Sequence, residues 1–150
     1  MAHTFTNLLT HVVFSTKDRE PSIVPDLREE LLAYMGGIVR GIRGKALVIG
    51  GTADHVHLLI ELAPATSIAE AARVIKANSS KWVHETQGKY SRFAWQTGYG
   101  AFSVSRSNRD AVSEYIRSQE EHHRRIPFKE EFLAILRKHG IEFDERYIWD

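Results

Sequence analysis

Asp54-His55-Val56-His57-Leu58-Leu59-Ile60 is the stretch on which the fold turns. Side chains alternate across a β-strand, so residues two apart share a face. His55 and His57 therefore stand side by side, with Val56 and Leu58 on the reverse. Neutral imidazole nitrogen is a good ligand for first-row divalent metals, and two imidazoles on one rigid strand can begin a metal site. The same pair also fits two ordinary strand histidines, one bonded to backbone and one to solvent. Just upstream, Lys45 to Gly51 reads as another strand, with Ala46-Leu47-Val48-Ile49 at its centre. The connection Thr52-Ala53-Asp54 has room only for a turn, so the two strands form an antiparallel hairpin.

The pattern extends from this hairpin in both directions. Leu8-Leu9-Thr10-His11-Val12-Val13-Phe14 lies within a predicted strand over residues 6–16. Its apolar and β-branched run suits a central strand covered on both faces. Lys17 to Pro21 is a charged loop. Residues 25–43 are predicted as a helix, because Leu27, Leu31, Tyr34 or Met35, and Ile38 recur at helical spacing and Pro25 suits a helix start. Gly36-Gly37 costs that helix about 1 kcal/mol per glycine, which close packing on a sheet would justify, and Gly44 ends it. After a strand over 55–62 and Pro64, Thr66 or Ser67 caps a helix to about residue 86, with Glu70 placed for a capping box. Phe93 to Ser105 reads as a fourth strand with a glycine-marked bend. Asn108 caps a helix to about Arg124, Pro127 breaks the chain, and Phe128 to His139 forms a last helix ended by Gly140. The aromatic tail Tyr147-Ile148-Trp149 is expected to dock on the body.

This order predicts an α+β fold. It is a ferredoxin-like split βαβ arrangement, a four-stranded antiparallel sheet with helices on one face, followed by C-terminal helices. One domain spans residues 1–150. The first and third strands are the central pair, which places His55 and His57 mid-sheet.

A chain of 150 residues is long enough for one domain with a real core. Its 43% apolar and 26% charged content is that of a soluble globular protein. The absence of cysteine excludes disulfides, thiolate zinc sites and cysteine nucleophiles. No apolar run approaches the roughly 20 residues that span a bilayer, and Met1-Ala2-His3-Thr4-Phe5-Thr6 does not resemble a signal peptide. The expected address is the cytoplasm. The net charge is only +1, but it is unevenly spread. Arg73, Lys76, Lys81, Lys89 and Arg92 outweigh Glu70 and Glu85, whereas Glu142, Asp144, Glu145 and Asp150 outweigh Arg146 near the end. A basic middle with an acidic tail fits contact with a polyanion, and it also fits scatter on a solvated surface.

The helix after the sheet contains Tyr115-Ile116-Arg117-Ser118-Gln119. Residues four apart share a helix face, so Tyr115 and Gln119 point the same way. Alone, they fit a half-buried tyrosine and a surface glutamine. Taken with the strand histidines, the chain resembles the single-tyrosine HUH transposases of the IS200/IS605 type, including the REP-associated tyrosine transposases. The matching features come in the family's order. They are Thr10-His11-Val12-Val13-Phe14-Ser15-Thr16-Lys17-Asp18-Arg19, then Asp54-His55-Val56-His57-Leu58-Leu59, then Lys76-Ala77-Asn78-Ser79-Ser80-Lys81. Trp95-Gln96-Thr97-Gly98-Tyr99 and Tyr115-Ile116-Arg117-Ser118-Gln119 follow. The match covers roughly residues 5–126; the resemblance assigns no role to the extension over residues 127–150, which fits either packing against a dimer or limiting movement of the tyrosine helix.

The resemblance implies a DNA strand cleavage and rejoining enzyme that works through a 5′-phosphotyrosine intermediate. Tyr115 matches the catalytic nucleophile. His55, His57 and the amide oxygen of Gln119 match the ligands of a divalent metal, Mg2+ or Mn2+. The implied substrate is single-stranded DNA carrying hairpins, and the implied assembly is a homodimer with active sites shared between subunits. Two nitrogen donors and an amide oxygen are softer than an all-oxygen set, so manganese is expected to bind more tightly than magnesium. Asp54 or His11 is a candidate to fix an imidazole tautomer, although strand alternation turns Asp54 away from His55. Lys17, Arg19, Arg73, Lys76 and Lys81 are candidate phosphate contacts, and Tyr99 or Trp95 could stack on an unpaired base. Trp95 equally fits the core. His122-His123-Arg124-Arg125 fits a second basic contact, but reads better as an ordinary helix C-terminus, where cations complement the dipole. The rival reading is a non-catalytic or domesticated nucleic-acid-binding regulator. The complete set of His55, His57, Tyr115 and Gln119 argues against it. A zinc hydrolase needs a third ligand with a general base beside it, and no such residue stands out in the sequence.

Overall fold

The computed structural model describes residues 3–88 and 91–150. Its sheet is built from β1 (Leu9–Ser15), β2 (Lys45–Gly51), β3 (His55–Glu61) and β4 (Gly100–Ser103). The strands lie in the order β2-β3-β1-β4, and every neighbouring pair is antiparallel. The helices are α1 (Pro25–Gly41), α2 (Ile68–Gln87), α3 (Arg109–Arg117), α4 (Gln119–His123) and α5 (Phe128–Lys138). This is the expected split βαβ arrangement, with β1 and β3 as the central pair.

The two faces of β3 differ in chemistry. Val56, Leu58 and Ile60 join Val12 and Phe14 in a core closed by Leu27 and Leu31 of α1 and by Ile75 and Val83 of α2. Burying each of these larger side chains contributes about 1.5–3 kcal/mol, and that holds the strand rigid. His55, His57 and Leu59 take the other face. There Leu59 packs with Leu9, Val104 and Ile116 of α3. Beside them Val13 meets Phe102 and the α5 residues Phe128, Phe132 and Leu136. The register sets His57 opposite Val13 and His55 opposite Ser15.

Gly50 seats the tyrosine helix. A Cβ there would lie 2.5 Å from the Ile116 carbonyl oxygen and 3.0 Å from Ile116 Cγ2. Only glycine lets α3 lie this close to β2, and Tyr115 is the residue before Ile116. Gly36 plays no such part. A Cβ at that position would meet Ile49 at an ordinary 3.8 Å, so tight packing on the sheet does not explain the glycine pair in α1.

Several boundaries differ from expectation. Helix α1 stops at Gly41, and the left-handed residue that follows is Arg43, with φ 64°. Gly44 is needed for room, because a Cβ would meet the Glu61 carbonyl oxygen at 3.0 Å. Ser67 caps α2 by accepting the Glu70 N–H at 3.1 Å. The Glu70 side chain does not return to complete a capping box but pairs with Arg73. Asn108 gives α3 no side-chain cap. The fourth strand is confined to Gly100–Ser103, and Trp95 makes only an isolated bridge to Thr16. The helix predicted over residues 109–124 breaks at Ser118, whose hydroxyl bonds back to the Glu114 and Tyr115 carbonyls at 3.0 and 3.2 Å. Such back-bonding bends helices.

The tail docks in part. Trp149 receives Arg19 and Lys129 over its ring at 5.0 and 5.4 Å, while Tyr147 remains exposed. No helix among the described residues is long and apolar enough to cross a membrane. Lys89, counted in the basic stretch, lies outside the described residues.

Candidate active site

His55 and His57 are fully buried on the face of β3 that receives α3, α4 and α5. Their rings are 5.2 Å apart. Helix α3 brings the Tyr115 ring to 5.8 Å from that of His57. Gln119, at the start of α4, is also buried, and its Oε1 lies 3.0 Å from His55 Nε2. The residues singled out by their spacing are thus gathered at one place by one chain.

The neighbours of His55 define its protonation. Its Nδ1 lies 2.7 Å from Asp54 Oδ1 and 3.0 Å from the Thr52 hydroxyl, which itself donates to Asp54 at 3.1 Å. A carboxylate only accepts, so Nδ1 carries the proton and donates it. Burial alone would raise the Asp54 pKa, but the His55 hydrogen bond and charge hold it below the usual carboxylate value. The expectation that Asp54 faces away from His55 is therefore corrected. Asp54 belongs to the turn, β3 begins at His55, and strand alternation does not govern a turn residue. The other ring nitrogen, Nε2, faces the Gln119 carbonyl oxygen. Gln119 Nε2 donates to Glu131 Oε2 at 3.2 Å, which fixes the amide orientation. With Nε2 deprotonated, His55 and Gln119 Oε1, 3.0 Å apart, can turn two lone pairs to one cation.

His57 is tied on both sides. Nδ1 lies 2.8 Å from His11 Nε2, and Nε2 lies 3.0 Å from Glu131 Oε1. Burial, the largest cause, depresses both rings, taking His57 to a pKa of about 4 and His11 to about 3. Both are neutral near pH 7. In the arrangement seen, His57 donates a hydrogen bond from Nε2–H to Glu131 and accepts one at Nδ1 from His11 Nε2–H. A metal on His57 Nε2 requires the other tautomer, and His11 can accept the relocated proton. His11 is thus the orienting partner of His57, as Asp54 is of His55.

Glu131 is the residue that sequence reasoning missed. It comes from the first turn of α5, inside the extension to which no role had been given, and is only 3% exposed. Its Oε2 accepts the Tyr115 hydroxyl. Its Oε1 faces His57 and His123, each at 3.0 Å, and His55 Nε2 at 3.6 Å. Burial alone would raise the Glu131 pKa, but the His123 and His57 imidazoles and the Tyr115 hydroxyl hold it well below the carboxylate range. Burial first, and then the Glu131 carboxylate, push the Tyr115 phenol above its ordinary pKa. In this state the proton is held on the phenol.

His123 corrects a second expectation. It does not simply complement a helix dipole, because its ring stands 4.2 Å from that of His55. Its Nε2 is buried 3.0 Å from Glu131 Oε1, without an aligned hydrogen bond. His122 Nε2 lies 3.5 Å from Glu131 Oε2. The ligand atoms of His55, His57, His123 and Glu131 all lie within 4.8 Å of one another. The third ligand that the zinc-hydrolase reading lacked is therefore present in space. One sequence signal existed for His123, since Tyr115, Gln119 and His123 recur every fourth residue. Glu131 had none, because an acidic residue in a helix's first turn is ordinary.

The candidate DNA contacts are not part of this cluster. Lys17 and Arg19 leave the end of β1, whose Ser15 pairs with His55. Lys17 is exposed. Arg73 is bound to Glu70 at 2.6 and 3.0 Å, and Lys81 lies 4.0 Å from Glu85. Both belong to α2, on the layer opposite the histidines. Lys76 donates to the Thr97 and Gly98 carbonyls at 2.8 Å each, and partial burial lowers its pKa. It pins the loop carrying Tyr99, which is 38% exposed. Trp95 is core, stacked edge-on against Phe14 and donating to Ser79 Oγ at 2.9 Å.

Residues 4–119 match the family profile described as "Transposase IS200 like". The transposases of insertion sequence element IS200 from Salmonella typhimurium LT2 and from Salmonella typhi are each 28% identical over 124 residues, covering 79% of this chain and 81% of theirs. Among solved structures, a candidate transposase from Deinococcus radiodurans R1 aligns with TM-score 0.64 and 21% identity, over 79% of this chain and 95% of that one. A REP-associated tyrosine transposase bound to a REP hairpin aligns with TM-score 0.62 and 12% identity, over 82% and 72%. At these identities the structural matches speak to the fold.

Proposed function

Because this chain belongs to the IS200-like transposase family, we propose that it cuts and rejoins single-stranded DNA beside hairpins, with Tyr115 as the nucleophile. The observation that carries the proposal is the convergence of Tyr115, His55, His57 and Gln119 on one buried face. In the reaction, Tyr115 Oη attacks the scissile phosphorus in line and the bond to the 3′-oxygen breaks. The phenol loses its proton, the leaving 3′-oxygen gains one, and a 5′-phosphotyrosine remains. A 3′-hydroxyl from another strand reverses the step, so joining needs no nucleotide cofactor.

The chain's residues set up this chemistry in stages. Gly50 and Ile116 fix the height of α3 above the sheet, and with it the tyrosine. Asp54 and His11 hold the two imidazoles in orientation. Glu131 takes the phenol hydrogen bond, which positions the nucleophile while keeping it protonated. His55, His57 and Gln119 would hold Mg2+ or Mn2+. When bound, that ion supplies Lewis acidity at a phosphate oxygen and positive charge against the developing phenolate. The homodimer with shared active sites belongs to the same proposal, as does a cytoplasmic address. Within the single chain, Tyr115 stands beside its own chain's histidines. Phosphate contacts by Lys17, Arg19, Arg73, Lys76 and Lys81, and stacking on Tyr99, complete the proposed DNA interface.

The test is a denaturing gel of protein mixed with hairpin oligonucleotides from the DNA flanking the gene, with Mn2+. A metal-dependent covalent band, absent with Tyr115→Phe although DNA binding is retained, is expected. Tight binding with no adduct across substrates and metals would favour the regulator reading instead.

A further inference from the structure

His123 and Glu131 lie beyond residues 4–119, the part that matches the family. Both nevertheless deliver ligand atoms to the histidine pair. Four donors about 2.1 Å from one small cation stand about 3.4 Å apart in a tetrahedron. Glu131 Oε1 lies 3.0 Å from His57 Nε2, 3.0 Å from His123 Nε2 and 3.6 Å from His55 Nε2. These three separations bracket the tetrahedral value, and the four ligand atoms together lie within 4.8 Å of one another.

The His123 ring gives a second sign. Its side chain is 10% exposed, and its Nε2 lies 3.0 Å from Glu131 Oε1 without making an aligned hydrogen bond there. An imidazole nitrogen that close to a carboxylate oxygen, with no proton well placed between them, can share a cation with it. The backbone supports the same geometry. Pro127 ends the α4 region, α5 begins at Phe128, and Phe128 stacks on His55 with ring centroids 4.4 Å apart. Glu131 is thereby carried over the two strand histidines.

We propose that His123 and Glu131 are ligands of this chain's metal centre, joining His55 and His57, so that the ion ties the C-terminal helix to the catalytic sheet. This rests on the metal-assisted reading above and revises its ligand set: with His123 and Glu131 bound to the ion, Gln119 is left to orient Glu131, to which its Nε2 donates at 3.2 Å. Three imidazoles and one carboxylate favour borderline ions over hard ones. Zn2+ and Co2+ are therefore taken in preference to Mg2+.

The experiment titrates the full-length chain with Co2+, followed by visible absorption, and with Zn2+, followed by calorimetry. The variants are Glu131→Gln, His123→Asn and, as a control, His55→Ala. Wild type is expected to give the intense visible bands of four-coordinate cobalt. Glu131→Gln and His123→Asn should each lose at least tenfold in affinity, with weaker bands. Affinity and spectrum within twofold of wild type in both, while His55→Ala loses binding, would refute the ligand roles and leave the metal reading intact. No binding by wild type, or unchanged binding by His55→Ala, would instead remove the metal reading and this inference with it. A measurement on wild type alone guards against variants that fail to fold. Zn2+ should slow hydrogen exchange of the α5 backbone amides at least tenfold, and unchanged exchange there would overturn the proposal.

Discussion

Replacing Gly50 with alanine tests the link between packing and chemistry. The new Cβ would lie 2.5 Å from the Ile116 carbonyl oxygen and 3.3 Å from the carbon that bears it. Both are backbone atoms of a helix, so no side chain can swing aside. Ordinary contact begins near 3.4 Å, so α3 must retreat by about 1 Å or β2 must buckle. Overpacking of this kind costs about 1–3 kcal/mol. In a chain of this size that lowers the Tm by about 3–10 °C. The catalytic effect should be larger than the stability effect, since Tyr115 adjoins Ile116 and a displacement near 1 Å can cost on the order of 100-fold in rate. Urea unfolding gives the first quantity, and the rate of covalent adduct formation well below the Tm gives the second. Stability within about 0.5 kcal/mol of wild type together with an adduct rate within about twofold would refute the seating of α3 on Gly50.

Other outcomes follow from the same structure. Gly37→Ala should act in the opposite sense, because a Cβ there meets only the end of Arg40 at 3.6 Å. A gain of about 0.5–1 kcal/mol in urea unfolding is expected, and a loss would contradict it. The metal-free protein should weaken in acid. His57 and His11 are held at pKa values of about 4 and about 3 when folded and return to about 6.5 on unfolding. The unfolded chain then binds more protons below pH 6.5, so stability falls as pH drops. Between pH 7.5 and 5.5 the two imidazoles together remove roughly 3 kcal/mol, and denaturation with a chelator present would show whether they do. Asp54→Ala should weaken Mn2+ or Zn2+ affinity about 10- to 100-fold by freeing the His55 ring. Calorimetry showing unchanged affinity would release Asp54 from that role.

What the sequence made legible was whatever depends on local period. The alternation of His55-Val56-His57-Leu58 placed both histidines on one face, and the structure buries them there. The four-residue spacing of Tyr115 and Gln119 survived even the helix break at Ser118. Ser67 was recognisable as a cap because its hydroxyl serves its own helix. Failures arose where the outcome depends on residues far apart in the chain. Asp54 was misplaced because strand alternation was extended one residue into a turn. The strand expected from Phe93 narrowed to Gly100–Ser103. Trp95 is drawn into the core by Phe14 and Ser79, and Gln96 spends its carbonyl on the Ser15 N–H at 2.8 Å. Glu131 was hidden altogether. Its contacts with His57 and Tyr115 exist only because α5 folds back across the sheet, and nothing in Lys129-Glu130-Glu131 distinguishes one acid from its neighbour.

A tyrosine nucleophile requires that Tyr115 itself become bonded to DNA. The most direct measurement digests the covalent product with protease and nuclease and maps the nucleotide-bearing peptide by mass spectrometry. A single modified residue is expected, Tyr115, linked through its phenol oxygen to a 5′-phosphate. A nucleotide on any other side chain, or cleaved DNA with no protein attached, would contradict it.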